Sequence, residues 1–318
     1  MAAADKSVSG ITNFQNFHGN KLLLDMLVSD PDWRRAWGGK GNLQDLKIFL
    51  AADYSQIELR MLAEMCQDPI LIKSFLAGED IHTRTASEVF GIPLEKVTAE
   101  QRQAAKAVNF GIIYGQTAQG LAAQLGISTR KAETYLARYF ARYTKVKSFF
   151  ERMERQAEET GKVDTLFGFT REIGQWDTDR KTYWGNQARN TPLQGSAHQL
   201  VLMALAILHQ KRKTYRLLKE GVLEIHDALY FFVRLGDLFE AEKQLDNLLQ
   251  NEVKLYVKKH FGRELTVPLV SENKAGFTLG SMTDIKEKRV DAFLKQWRVT
   301  REENLKAGWE KLELEETV

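Results

Sequence analysis

Residues 47–60 read KIFLAADYSQIELR. The run from Leu46 to Ala52 is apolar apart from Lys47 and reads as a largely buried strand ending at Asp53. From Ile57 the apolar spacing changes. Leu59, Leu62, Ala63, Met65, Leu71 and Phe75 recur at helical intervals up to Leu76, and Asp68-Pro69 breaks the run into two pieces. An acid at the joint between a buried strand and a helix is unusual. Aspartate is a poor strand residue, and a desolvated carboxylate is costly unless it is paired or holds a cation.

Outward from this joint the pattern stays helical as far as Gly161. Ile81–Phe90 reads as a short helix closed by Gly91-Ile92-Pro93. Thr98 and Gln101 have capping-box spacing and open a helix that runs to Tyr114 and stops at Gly115. Ala118–Leu125 is the next helix, stopped by Gly126, and Ser128 caps a long one reaching about Thr160. Eight Lys/Arg between Ser128 and Gln156 are interleaved with Tyr135, Tyr139, Phe140, Tyr143, Phe149 and Phe150. That mixture suits a solvated amphipathic helix with an aromatic core stripe, or a face lying along a phosphate backbone. Lys162–Ile173 alternates about Gly168 as a hairpin, and Thr182–Lys219 is mostly helical with Pro192 as a kink. Val222–Val233 is a second β run, interrupted by His226-Asp227; Leu238–Phe261 is a helix, and Val267–Leu279 contains the last strand. Residues 283–318 are charge-dense with helical spacing and little strand signal. Strands at both ends of a helical middle predict an α+β fold with a helical insertion.

The composition narrows the possibilities. With 318 residues, 43% hydrophobic and 27% charged, the chain is of ordinary globular composition, which excludes disorder and fibrous repeats. A net charge of +3 requires any nucleic acid to be met by local basic patches. The single cysteine, Cys66, excludes an intramolecular disulfide or a multi-cysteine zinc site and suits a reducing compartment. No apolar stretch approaches the roughly 20 residues that a membrane helix needs, and the N-terminus carries no hydrophobic signal core.

Two features carry chemistry. Asp53 closes one apolar strand and Asp227 interrupts another. They are unrelated turn aspartates, or a pair that the two strands bring together to bind a hard divalent cation through oxygen. In RQAAKAVNFGIIYG, residues 102–115, Arg102, Lys106, Phe110 and Tyr114 follow at steps of four and share one slowly winding stripe of a helix. Two cations could grip a triphosphate while two aromatics lie against a sugar and a base.

Taken together, DYSQIELR (Asp53–Arg60), RQAAKAVNFGIIYG (Arg102–Gly115) and IHDALY (Ile225–Tyr230), in that order, resemble the three motifs of the family A DNA polymerases, the DNA polymerase I type. DIHTRTASEVFG (Asp80–Gly91), NTPLQGSA (Asn190–Ala197) and VPLVSENKAGF (Val267–Phe277) are similar to the family's intervening and closing segments. The resemblance covers about residues 46–282. It implies an antiparallel-sheet palm with a mostly helical fingers insertion. Residues 1–79 would be an N-terminal segment and the first part of the palm, 80–181 the fingers, 182–282 the second part of the palm, and 283–318 a charged helical tail. It implies template-directed transfer of dNTPs to a primer 3′-hydroxyl with two Mg²⁺ ions held by Asp53, Asp227 and the Tyr54 carbonyl. His82, Arg102 and Lys106 would contact the triphosphate, and Glu58 would exclude a ribose 2′-hydroxyl. Phe110 and Tyr114 would frame the nascent pair, and Asn190, Gln194 and His226 would track the primer–template DNA.

The chain departs from that pattern in several places. Ala228 stands where the family usually has a glutamate after the motif aspartate, Asn186 where it usually has an arginine, and SVSGITNFQNF lacks an arginine usual before the palm strand. Residues ahead of Asp53 are too few for the family's thumb or an exonuclease domain, so a second polypeptide is expected to supply both. The tail, with Phe293, Trp297 and Trp309, is either a docking element or a segment that folds back on the palm. The competing readings are a non-catalytic DNA-binding replisome component, and a single-subunit RNA polymerase, against which Glu58 and Phe110 speak. A bacterial cytoplasm or a phage-infected host cell is the expected setting.

Overall fold

Lys47–Tyr54 form strand β1, with Ile48 to Ala52 all buried. No polar side chain interrupts the strand until Asp53, which is why both faces can be covered. The structure, a computed structural model, describes residues 43–173, 181–225 and 227–315. His226 and the SVSGITNFQNF segment lie outside the described residues.

The chain divides into two compact units, one made of Met1–Ser55, Val201–Val253 and Val270–Val318, the other of Gln56–Leu200 and Lys254–Leu269. In the first, β4 (Gly221–Ile225), β5 (Ala228–Arg234), β1, β6 (Ser271–Gly276) and β7 (Thr283–Asp284) form an antiparallel sheet in the order β4-β5-β1-β6-β7. Cross-strand partners share a face. Ile48↔Val233, Leu50↔Phe231 and Ala52↔Leu229 line one face, and Phe49↔Phe232, Ala51↔Tyr230 and Asp53↔Ala228 the other. The first face is buried on both strands, whereas the second is buried at Phe49 and Ala51 of β1 but only half-buried along β5. Helix α9 (Leu238–Asp246) continues as a π-helical segment, Asn247–Glu252, into α10 (Val253–Phe261). The Tyr54 phenol donates to the Leu249 carbonyl inside this segment at 2.9 Å, a side-chain intrusion of the kind that accompanies a locally widened helix.

The tail adds one unexpected strand and otherwise takes the folded-back one of its two readings. It contributes β7, too short a strand to leave a sequence signal, which pairs Lys274↔Asp284 and Ala275↔Thr283. Its helix α11 (Val290–Glu315) turns Phe293 and Trp297 inward, where Trp297 meets Phe277 edge-on at 5.0 Å. Gly276 permits this approach, since a Cβ there would lie 3.1 Å from Trp297 Nε1. Phe293 and Trp297 therefore belong to the chain's own core and are not offered to a docking partner.

The second unit is helical. Its elements are α1 (Ile57–Cys66), α2 (Pro69–Leu76), α3 (Ile81–Phe90), α4 (Ala99–Ile113), α5 (Ala118–Leu125), α6 (Thr129–Arg142) and α7 (Thr144–Thr160), then the hairpin β2 (Lys162–Asp164) with β3 (Thr170–Glu172). The N-terminal part of α8 (Lys181–Gln210) and residues of α10 complete it. The Thr98–Gln101 capping box forms in full. The long helix expected from Ser128 is two helices, broken at Tyr143 (φ −104°, ψ 70°). The cause is non-local: buried Asp68, which already caps α2, also accepts from the Lys145 N–H at 3.2 Å and so supports a second helix start. Tyr139, Tyr143, Phe149 and Phe150 are buried, so the aromatic stripe is core. Arg60, buried against Phe75, donates to the Pro268 carbonyl at 2.6 Å and ties residues 254–269 to α1.

Candidate active site

In the sheet unit the strand register makes the site. Residue 228 is the direct partner of Asp53, so Asp227, in the turn between β4 and β5, is brought beside it. The two carboxylates come within hydrogen-bonding reach of one another. Asp53 keeps an exposed surface, yet loss of surrounding water, then the Asp227 charge and more weakly that of Glu272, raise its pKa well above the usual carboxylate range. Lys274 opposes the rise. Glu272 is the partner of Asp53 in β6 and accepts from the Ser55 hydroxyl at 2.6 Å. Asp53 thus has Ala228 on one side and a carboxylate on the other. The absence of an acid at 228 coexists with an acid at 272, a residue that sequence reasoning passed over.

Among the described residues, no group of three or more His, Cys, Asp or Glu side chains is arranged to hold a metal ion. The Asp53–Asp227 pair nevertheless has the donor chemistry of a Mg²⁺ site. Mg²⁺ takes hard oxygen ligands and is commonly held by one or two carboxylates, with substrate phosphates completing the shell. A cation would also relieve the mutual repulsion of the pair.

In the helical unit the stripe on α4 forms as the spacing required. Phe110 and Tyr114 stack with centroids 6.2 Å apart, and Lys106 Nζ lies 5.9 Å from the Phe110 centroid. His82, on α3, reaches the same stripe, its ring 5.8 Å from Phe110. Arg102 is held by Asp80 through two bonds, Nε to Oδ1 at 3.1 Å and Nη2 to Oδ2 at 2.7 Å. Asp80 also caps α3 through Thr83 and accepts from the Gln56 amide at 3.3 Å. Burial alone would raise the Asp80 pKa, but the Arg102 and Thr83 hydrogen bonds outweigh it and hold the carboxyl at about 2. Gln56 adopts left-handed backbone (φ 53°) at the start of α1. Glu58, two residues on, accepts from the Tyr114 hydroxyl at 3.1 and 3.0 Å.

His82 is 3% exposed. Burial lowers its pKa; Asp80 pulls the other way, Arg102 and Lys106 add to the lowering, and the result is about 4. Asn190 is half-buried and Gln194 exposed, one turn apart on α8. Asn186, one turn earlier, packs so closely on Gly115 that a Cβ there would lie 2.0 Å from its Oδ1. Asp80, Thr85 and Asn109 escaped the sequence reading. Asn109 left a faint signal, as a polar residue among Ala105, Val108, Ile112 and Ile113 on the buried side of α4.

Comparison with known proteins shows the family. The family model for DNA polymerase family A matches residues 39–280. DNA polymerase I of Pseudomonas aeruginosa is 43% identical over 194 residues, 60% of this chain and 21% of that protein. DNA polymerase I of Caldicellulosiruptor bescii is 38% identical over 232 residues, 72% of this chain and 26% of that protein. The chain thus spans about a quarter of the length of these curated relatives. Among solved structures, the POL domain of Pol1 from M. smegmatis, in complex with DNA primer-template and dNTP, aligns with a TM-score of 0.68 and 30% identity, covering 82% of this chain and 42% of that one. Because the matched stretch contains β1, the α4 stripe, the Asp227 turn and β6 without interruption, the chain belongs to DNA polymerase family A.

Proposed function

We propose that this chain carries the nucleotidyl-transfer centre of a template-directed DNA polymerase, adding dNTPs to the 3′-hydroxyl of a primer. The observation that carries this reading is the side-by-side placement of Asp53 and Asp227 by strand register on a family A sheet. The sheet unit is the palm of this reading, and the helices between Asp80 and residue 181 are its fingers.

Asp53, Asp227 and the Tyr54 carbonyl are the residues that would hold two Mg²⁺ ions. Bound there, Mg²⁺ supplies an activated primer hydroxyl and a neutralised pyrophosphate leaving group. The chain's own residues bind and orient. Arg102 presents a fork of donors matched to phosphate oxygens, and Lys106 and His82 add a point charge and a ring donor on the same stripe. Phe110 and Tyr114 offer stacking surface to sugar and base. Glu58, fixed by Tyr114, occupies space beside the sugar and selects against a 2′-hydroxyl. Asn190, Gln194 and His226 follow the primer–template.

Primer–template DNA and dNTPs are the partners of this reading. A second polypeptide with thumb and exonuclease functions is the remaining one, tested by whether proteins from the same source raise the processivity of the isolated chain. The decisive experiment is primer extension with deoxynucleotides and with ribonucleotides, using the wild type and Asp227→Asn. Extension with deoxynucleotides that disappears in the variant supports the reading. DNA binding with no extension under any metal would favour a non-catalytic replisome component instead.

A further inference from the structure

Asn109 on α4 and Thr85 on α3 are completely buried, and with His82 they form one hydrogen-bonded line. The Thr85 hydroxyl donates to Asn109 Oδ1 at 3.1 Å. That leaves Asn109 Nδ2 facing His82 Nδ1 at 2.9 Å. An amide nitrogen donates and does not accept, so Nδ1 is the acceptor nitrogen and the ring proton sits on Nε2. A hydroxyl can donate or accept, and in this arrangement the Thr85 hydroxyl donates, which is the direction that turns the Asn109 Nδ2 toward His82.

We propose that Asn109 is a positioning residue which, oriented by Thr85, locks His82 as its neutral Nε2–H tautomer and so makes it an uncharged donor to the phosphates gripped by Arg102 and Lys106. The inference rests on the reading of His82, Arg102 and Lys106 as nucleotide-binding residues. An enclosed site already beside two cations disfavours a third charge, yet a donor is still useful to a phosphate oxygen. A neutral imidazole with its proton on Nε2 satisfies both conditions. The charged groups that face His82 are Asp80, Arg102 and Lys106. Arg84 of α3 pairs with Glu79 and Glu88, and Arg142 of α6 pairs with Glu88. The depressed pKa of His82 means that the tautomer, and with it the donor, persists across the range from about 5 to 8.

The test has two arms. In the first, ¹⁵N-histidine spectra of the full chain identify His82, one of six histidines, by its loss in His82→Gln. Near pH 7 its Nδ1 should show the shift of an unprotonated nitrogen and its Nε2 that of a protonated one. A proton on Nδ1, or a ring that titrates near pH 6.5, would overturn the proposal. Thr85→Val keeps volume and removes the orienting hydroxyl; it should yield a mixture of tautomers, and an unchanged spectrum would count against Thr85's part. In the second arm, Asn109→Asp replaces the amide donor with an acceptor, which draws the proton to Nδ1 and favours the charged ring. The KM for dNTP should rise about tenfold near pH 8, the scale of one hydrogen bond to a charged group, and should become pH-dependent between pH 6 and 8. Should Asn109→Asp not fold, Asn109→Ser provides the same comparison by removing the amide. A flat, wild-type pH profile in these variants, while Arg102→Ala raises KM, overturns the positioning role and leaves the nucleotide reading standing. If Arg102→Ala also leaves KM unchanged, the nucleotide reading itself has failed.

Discussion

In the sheet unit Asp53 meets a second carboxylate, Asp227, and has a third, Glu272, as its partner in the neighbouring strand. In the helical unit three candidate side chains meet a complement: Arg102 meets Asp80, Tyr114 meets Glu58, and His82 meets Asn109. The difference follows from how each is held. A strand fixes its side chains through the backbone ladder, so like charges can be kept together at a cost the sheet absorbs. Long side chains on helix surfaces have no such restraint, and a partner limits the rotamers they would otherwise lose on binding. One unit therefore gathers negative charge that a cation, on the proposed function, would neutralise. In the other, Arg102, Tyr114 and His82 are already held by partners that a bound nucleotide, on the proposed function, would compete with.

The sharpest way to break this comparison is to substitute within the acid pair. Asp53→Asn or Asp227→Asn removes a charged ligand with little change in volume, and primer extension should fall by several orders of magnitude while DNA binding persists. Stability without metal should not fall. Relief of like-charge repulsion at a partly exposed pair should raise it by up to about 1 kcal/mol, a shift of a few degrees in calorimetry for a chain of this size. Loss of both activity and stability would mean that the pair is a structural element of the sheet.

Arg102→Ala should behave in the opposite way. It removes the proposed phosphate ligand and also leaves Asp80 without its principal partner. The KM for dNTP should rise by about one to two orders of magnitude, in keeping with loss of a bidentate, charge-assisted contact. Thermal stability should drop slightly, by under about 1 kcal/mol, because the pair is partly open to water. Asp80→Ala should cost more stability than Arg102→Ala, since it also removes the cap on α3, worth about 1 kcal/mol. If the two substitutions add without coupling, the Asp80–Arg102 bond does not organise the site.

Local signals made much of this legible in sequence. The Thr98–Gln101 box, the Pro69 break, Gly126 and Gly161 mark helix ends where the structure has them, because each acts within one turn of chain. Asp53 and Asp227 stood out as acids in apolar strands. What was hidden depends on contacts between distant residues. The break at Tyr143 needs Asp68, the π-helical segment lies against Tyr54, and β7 exists only because β6 is there to pair with it. The Arg102–Asp80 and Asn109–His82 bonds need α3 and α4 packed together, which no spacing within either helix reveals. Glu272 sat in a quoted segment, but only strand register shows that it is the partner of Asp53.

Acidity separates the two units by the sign of its effect. His82 has a folded pKa of about 4, below its ordinary value of about 6.5. Between these values the unfolded chain binds the proton and the folded chain does not, so stability rises with pH and is lost as pH falls from about 6.5 to 4. Asp53 has a raised folded pKa. Its contribution is present at low pH and is lost as pH climbs from the ordinary carboxylate range toward neutral. The two slopes oppose each other in wild type. Denaturant titrations should separate them: Asp53→Asn should expose the fall on acidification, on the order of 2 kcal/mol for the buried imidazole, and His82→Gln should remove that fall. Equal pH profiles for the two variants would erase the distinction between the units.

The smallest effect expected is at the Tyr114–Glu58 contact, which is exposed and so contributes little to folding. Tyr114→Phe leaves the ring and removes the hydroxyl, so stability should change by no more than about 0.5 kcal/mol. Its consequence lies in selection. Without the phenol to hold it, the Glu58 carboxylate gains rotamers and fills the sugar-side space less completely, so ribonucleotide incorporation should rise a few-fold relative to deoxynucleotide. Glu58→Ala removes the obstruction itself and should raise that ratio further. In the double variant Tyr114→Phe should then add nothing, because the hydroxyl acts only through the carboxylate it holds. Ratios that multiply independently would show that Tyr114 contacts the nucleotide on its own account, and that the helical unit is less internally satisfied than its hydrogen bonds indicate.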